Sequence, residues 1–515
     1  MREAKRGAGA TPLSSSVASS VALALLLGLL VGVPFFAATT FIGDDHLFLA
    51  FARYVPNPLV AFVRDQHGGE FYRPLPMLLW WVLGRLAPLT PAVFGAFALA
   101  LHATAAALTG GLVLAVRGDR RLAVTAALLF FVAPLTREAA YWYAASTDLL
   151  ATVFGLATLL ALLRGRRALA VALFCGACWS KETAIVVPLL AALVLAMRMP
   201  EAGWRAPVAR AAPLVPVAVA YLLARTLVLH GLGGSGDPAA SAGGKLLQLA
   251  AGLVHALTGT QIFGALVAWV VGLVAWALLL AGTARATRGG QPRLVVLGPL
   301  LLIALTVLPL LAAPWIVGAR YFYLPCVGIA WLAAERLRRF GVPVVVGVLC
   351  GLAGLGLGQD LARRGEVVAY EARLMAARRG IVSGLAEGFT TFHVDGGIKD
   401  LDLAVKEDPR VRPREGELLV LGDVPASFVA LPAGSARGPD VDFLLARPPL
   451  PPSGAYHFGE RRIVGLAREG DDPTLDEVIA HFPRLRFLRL RPGPGGRVIA
   501  RDVTDSRAGE VDGEE

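Results

Sequence analysis

A chain of 515 residues with 56% hydrophobic residues, a mean hydropathy of +0.62 and only 17% charged residues is too apolar for an ordinary soluble protein, and reads as a polytopic integral membrane protein. The formal charge of +11 does not indicate nucleic acid, because the basic residues form short clusters between apolar runs and no solvated stripe. Cys175, Cys178, Cys326 and Cys350 all fall in apolar segments, so no disulfide framework is legible, and Cys175-x-x-Cys178 reads as packing.

In chain order, Val17 to Thr40 is a run long enough to cross a bilayer, preceded by Arg2, Lys5 and Arg6. A signal peptide ending near Phe36-Ala37-Ala38 is the alternative, but the apolar run is longer than a cleavable one needs to be. The next stretch, Phe41 to Leu75, is polar and irregular, opening on Asp44-Asp45 and closing on Tyr72-Arg73-Pro74-Leu75. Leu75–Leu86 is short and Trp-rich and reads as an interfacial helix. Further spans are expected at Pro91–Val116, Leu122–Leu135, Leu149–Leu163, Ala168–Trp179, Ala184–Met197, Pro207–Leu229, Ile262–Ala281, Leu294–Leu311, Tyr321–Ala334 and Gly341–Leu357. The expected fold is therefore a polytopic α-helical membrane protein of about 11 transmembrane helices, over residues 1–358, with interfacial helices in its first external loop.

The basic clusters beginning at Arg2, Arg117, Arg164, Arg198, Arg285 and Arg336 fall on alternate connections, which the positive-inside rule assigns to the cytoplasm. The Asp44 loop, Thr136–Thr147, Ser180–Thr183, the Gly-rich loop His230–Thr260 and Ala312–Arg320 are then external. Beyond Leu357 the sequence turns charged and Pro-rich. Gln359–Glu387 reads as a helix and Glu417–Leu421, Val441–Leu445 and Arg461–Leu466 as strands, which gives a small C-terminal α/β extracytoplasmic domain over 359–506 and a polar tail over 507–515. No tandem repeat is present.

Ionisable residues at membrane depth are costly and by default mark function. On the external rim the chain offers Asp44, Asp45, Arg73, Arg137, Glu138, Asp148, Lys181, Glu182 and Arg320. A hydroxyl acceptor needs a carboxylate to take its proton, a role open to Asp44 or Asp45; a departing phosphate needs fixed cations, which Arg73, Lys181 and Arg320 can supply. Snorkelling to headgroups beside Trp142 and Tyr143 accounts for single cations but not for carboxylates beside them at several helix ends. Asp44-Asp45 also suits a helix cap, while His46 and His102 lack the spacing of a metal site.

Five ordered patterns, Asp44-Asp45, Tyr72-Arg73-Pro74-Leu75, Pro134-Leu-Thr-Arg-Glu138 with Asp148-Leu-Leu, Ser180-Lys181-Glu182-Thr183 and Arg320-Tyr-Phe-Tyr-Leu-Pro325, carry a resemblance over residues 17–358. The chain resembles the membrane glycosyltransferases of the C-type fold, in the protein O-mannosyltransferase-like branch that includes the transmembrane and tetratricopeptide-repeat mannosyltransferases. The resemblance implies inverting transfer of a sugar, with mannose as one candidate, from a polyprenyl-phosphate-sugar donor to a protein, glycan or lipid acceptor. It assigns the base to Asp44 or Asp45 and a donor phosphate contact to Arg73, and adds Tyr72, Arg137, Glu138, Asp148, Lys181, Glu182, Arg320 and Tyr321 as pocket residues. Two departures stand out: no tetratricopeptide array follows, and the pair is Asp-Asp where the fungal and animal protein O-mannosyltransferases have Asp-Glu. No cofactor is expected, although a divalent metal stays open. The Ala/Gly/Arg-rich composition suits a GC-rich bacterial genome, and the expected location is the inner (plasma) membrane. A flippase would show inverted repeats and midplane charges, neither of which is seen, and a noncatalytic scaffold would not need the first-loop acids.

Overall fold

The computed structural model describes residue 41, residues 45–55, 57–64, 71–87, 90–231, 242–255, 265–288, 292–311 and 319–386, and seven strands between 391 and 502. The expected first span Val17–Thr40, Asp44, the strand Val441–Leu445 and the tail from Arg507 lie outside the described residues.

Two helices, α1 (Asp45–Tyr54) and α2 (Pro74–Leu86), form a hairpin before the bundle. Trp81 Nε1 donates to the Val55 carbonyl at 2.8 Å and Arg85 Nε to that of Ala52 at 3.2 Å, so the carbonyls left over at the end of α1 are satisfied by α2. Phe41, Phe48, Trp80, Phe94 and Tyr143 close an aromatic cluster beneath the hairpin and tie it to the bundle.

The bundle continues as α3 (Pro91–Arg117), α4 (Arg120–Val132), the short α5 (Arg137–Tyr141), α6 (Ser146–Leu163), α7 (Arg167–Ser180), α8 (Val187–Arg198), α9 (Arg205–Ala211), α10 (Val215–Leu229), α11 (Ala242–His255), α12 (Ala265–Arg288), α13 (Arg293–Leu311), α14 (Pro325–Leu337) and α15 (Val342–Ala386). Among the described residues five helices are long and apolar enough to span a membrane: Pro91–Arg117, Tyr143–Leu163, Arg205–Leu229, Trp269–Arg288 and Arg293–Leu311. Arg120–Val132 and Pro134–Tyr141 make a sixth if their 54° bend lies within one span.

The breaks follow from local chemistry. Gly118 takes φ +70 at the end of α3, and Asp119 then caps α4 by accepting from the Leu122 N–H at 3.1 Å, so two helices reverse through two residues. At the 54° bend Pro134 brings no N–H for the Phe130 carbonyl, to which Thr136 Oγ1 donates at 3.3 Å, as it also does to the Ala133 carbonyl at 2.7 Å. Lys181 is fully extended between α7 and the 3-10 turn Glu182–Val186, which turns its side chain into the protein.

Two expectations need correction. The Gly-rich stretch His230–Thr260 contains α11, whose apolar face was diluted by the flanking Gly and Ser residues. The last span and the helix expected at Gln359–Glu387 are one continuous helix of 45 residues, α15: no Pro interrupts 344–386, and the change of composition after Leu357 does not break the helix. It lies along α4 and reaches β6 (Phe487–Pro492) and β7 (Val498–Asp502). Strands β2 (Leu419–Gly422), β1 (Thr391–Val394), β6 and β7 pair in that order, parallel except for the antiparallel β6–β7 pair. A second, antiparallel sheet has β5 (Arg461–Ala467) between β3 (Ala426–Leu431) and β4 (Ala455–Phe458).

Candidate functional site

The ends of the helices separate the charges. At one end Arg117 pairs with Glu335 at 2.7 Å and Arg338 with Asp119 at 3.0 Å. At the other end α2, α5, α6, the α7–α8 connection, α10 and the 3-10 turn Ala319–Phe322 bring together residues far apart in sequence.

Arg73, the residue before α2, forms a two-pronged ion pair with Glu182: Nε to Oε2 at 3.0 Å and Nη2 to Oε1 at 2.6 Å. The guanidinium also lies over the Phe71 ring at 4.1 Å. Arg225, from within α10, points a nitrogen at the same Glu182, 3.9 Å away. Burial would raise the Glu182 carboxyl, but Arg73, Lys181 and Arg225 outweigh it and hold it at about 2. Arg73 is correspondingly held above its ordinary value by Glu182, against the effect of burial.

Lys181 is 1% exposed and its Nζ meets Asp148 Oδ1 at 2.6 Å. Burial lowers its ammonium to about 8, with Arg73 and Arg320 acting in the same direction and Asp148 offsetting only part of the fall. The same nitrogen sits 4.4 Å over the Tyr321 ring. Arg320 continues the chain of contacts: its guanidinium lies 4.1 Å over Trp142 and 4.8 Å over Tyr321, its Nη2 donates to the Tyr321 hydroxyl at 3.3 Å, and it pairs with Glu138 at 3.4 Å. Four cations thus face three carboxylates, so this connected set carries one excess positive charge in surroundings largely removed from water. That is the charge pattern of a pocket for a phosphate monoanion or diester.

Asp45 is fully buried, and one carboxylate oxygen accepts the Ala144 N–H at 2.6 Å. Its side chain bonds across to the turn before α6, so the capping expected of it within its own helix is not what this bond does. Asp44 lies outside the described residues, and of His46 the side chain is likewise undescribed. His102 is buried between the Tyr323 hydroxyl at 2.7 Å and the Phe131 carbonyl at 3.0 Å, a satisfied polar contact.

Most of the expected rim residues therefore converge: Arg73, Glu138, Asp148, Lys181, Glu182, Arg320 and Tyr321. Asp45 bonds to the Ala144 N–H instead, and Tyr72 and Arg137 do not join them either. Tyr72 donates its hydroxyl to the Phe62 carbonyl at 3.0 Å and packs on Tyr221, and Arg137 turns away to pair with Asp360 at 3.1 Å. Sequence reasoning missed Arg225 and Asp360. Arg225 had a signal, a lone charge in the apolar run Val215–Leu229; Asp360 was read as the start of the tail.

No family model and no curated protein matches the sequence. Among solved structures, ArnT from Cupriavidus metallidurans bound to undecaprenyl phosphate is similar over 88% of this chain and 99% of that one, at 15% identity and a TM-score of 0.51. The apo structure of the same protein is similar over 89% and 100%, at 15% identity and a TM-score of 0.47. At this identity the likeness is one of fold: the chain is a polytopic membrane protein with an ArnT-like helical architecture, and a partly buried cation cluster lies at one end of its bundle.

Proposed function

We propose that this chain is a polyprenyl-phosphate-dependent membrane glycosyltransferase. The observation that carries the reading is the set of Arg73, Lys181, Arg225 and Arg320, buried or partly buried together at one end of a bundle whose fold is shared with a protein seen bound to undecaprenyl phosphate. In this reading Arg73, Lys181 and Arg320 hold the donor phosphate, and Glu182, Asp148 and Glu138 keep them in place while the site is empty. The phosphate replaces these carboxylates in part, so the cations are positioned before the charge on the leaving group develops. The isoprenoid tail lies between helices and the acceptor approaches from the aqueous side.

An acceptor hydroxyl oxygen bonds to the anomeric carbon from the face opposite the phosphate and gives its proton to a first-loop carboxylate, while the carbon–oxygen bond to the phosphate breaks and the polyprenyl phosphate leaves with that electron pair, so the anomeric centre inverts. Asp44 or Asp45 fills this role, and the bond from Asp45 to Ala144 N–H favours a supporting part for Asp45 with Asp44 as base. Cationic side chains suffice for a monophosphate leaving group without a metal. The site faces outside the cytoplasm, in the plasma membrane of a bacterium. Mannose is one candidate sugar, on the O-mannosyltransferase-like motifs alone, and the acceptor is a protein, glycan or lipid.

The test is binding of undecaprenyl phosphate to the full chain in nanodiscs. Arg73→Ala and Lys181→Ala should each weaken binding about 10- to 100-fold, as loss of one charge-assisted phosphate contact does. Equal binding by wild type and both variants would remove the phosphate site from this cluster.

A further inference from the structure

One ion pair lies outside the cluster and links it to α15, the helix that reaches the C-terminal strands. Arg137 Nη1 meets Asp360 Oδ2 at 3.1 Å, with the two side chains 13% and 8% exposed. The guanidinium rests on Gly356, one turn before Asp360 on the same face of α15, where a Cβ would stand 3.0 Å from its Nε and 3.2 Å from its Nη2. A bare helix position next to a carboxylate makes a slot of the width of a guanidinium. The Arg137 Nε is buried there with no hydrogen-bond partner among the described residues, so the slot holds Arg137 by one ionic contact and by packing.

The neighbour of Arg137 in α5 is Glu138, which accepts from the backbone N–H of Arg320 at 3.2 Å as well as from its guanidinium at 3.4 Å. The turn Pro134–Thr136 and α5 pack directly on the turn Ala319–Phe322. A displacement of Arg137 therefore moves Glu138, and with it both the backbone and the side chain of Arg320. Arg320 in turn shares the Tyr321 ring with Lys181.

We propose that Asp360 is a positioning residue: by holding Arg137 against Gly356, it fixes Glu138 and Arg320, and so lets the position of α15 set the outer wall of the cation cluster. Strands β6 and β7, which contact α15, thereby bear on the site. The functional half of this proposal rests on the transferase reading; the structural half does not.

The experiment compares full-length wild type with Asp360→Asn, Asp360→Glu and Gly356→Leu in nanodiscs, by hydrogen exchange and by sugar-transfer kinetics. Asp360→Asn should raise exchange at 134–147 and also at 319–324, and should raise the donor KM about tenfold or lower kcat by a similar factor. Gly356→Leu, which displaces the guanidinium while keeping the Asp360 charge, should give the same pattern, and Asp360→Glu should restore much of it. Increased exchange confined to α15, with 319–324 at the wild-type rate in both Asp360→Asn and Gly356→Leu, would overturn the proposal. If wild type transfers no sugar from any donor, the transferase reading fails, and the exchange at 319–324 still decides whether Asp360 positions Arg320.

Discussion

Replacing Asp148 by Asn separates the electrostatics of the cluster from its shape. Asn keeps the volume and one oxygen for Lys181 Nζ, now 2.6 Å from Asp148 Oδ1, but removes the charge that offsets part of the burial of the ammonium. Breaking a buried pair by removing one partner costs about 3–5 kcal/mol, and the retained oxygen places this substitution near the lower end, ~3 kcal/mol. In wild type the Lys181 ammonium, lowered by burial to about 8, is still mostly charged at pH 7. Because its folded value lies below that of the unfolded chain, the penalty for the charged form is present below pH 8 and is relieved as pH rises towards 10.5, so this group makes stability rise with pH across that window. Undecaprenyl phosphate binding should follow the opposite course, falling about tenfold per pH unit above pH 8 as the ammonium is lost. In Asp148→Asn the fall should begin at a lower pH, and binding should recover on acidification. The assay is phosphate-lipid affinity in nanodiscs from pH 6 to 9.5, beside melting in detergent. A pH profile of binding unchanged between wild type and Asp148→Asn would refute the coupling of Lys181 to Asp148.

Three further outcomes are expected. Glu182 is held at about 2 by Arg73, Lys181 and Arg225 against the effect of burial, so its stabilisation is complete above pH 4.5 and is lost as pH falls towards 2; Glu182→Gln should flatten the acid limb of the melting profile by about 3 kcal/mol. His102→Phe keeps a ring in the core but leaves the Tyr323 hydroxyl and the Phe131 carbonyl without that partner, which should lower stability by about 1–3 kcal/mol in thermal melts. At Gly328, where α14 crosses α13, an added Cβ would lie 2.8 Å from the Pro299 carbonyl oxygen, so Gly328→Val should destabilise by about 1–3 kcal/mol, whereas Gly354→Val, with open space around it, should leave melting unchanged.

The sequence made the membrane class and the rim residues legible because both are local signals: long apolar runs, and charges at their ends. Glu138, Asp148, Lys181, Glu182 and Arg320 could be named as rim charges from their positions after or before such runs, and the structure brings them together. Their partners could not be named, since the Arg73–Glu182 pair joins residues 109 apart in the chain and depends on how α2 meets the α7–α8 connection. Arg225 was hidden inside a run scored as a whole, where burial against Glu182 compensates its charge. Asp360 was hidden by a change of composition that suggested a new domain, although the helix carries straight on. Helix α11 escaped because Gly and Ser around it weaken the apolar period that marks the other helices.

The measurement closest to the central claim is transfer of radiolabelled sugar from a panel of polyprenyl-phosphate sugars by the purified full chain, for wild type beside Asp44→Asn, Asp45→Asn and Arg73→Ala. The account predicts transfer by wild type, its loss in one aspartate variant that still binds the donor, and weakened donor binding in Arg73→Ala. A wild-type chain that binds and consumes none of these donors in the presence of membrane extract as acceptor source would contradict it.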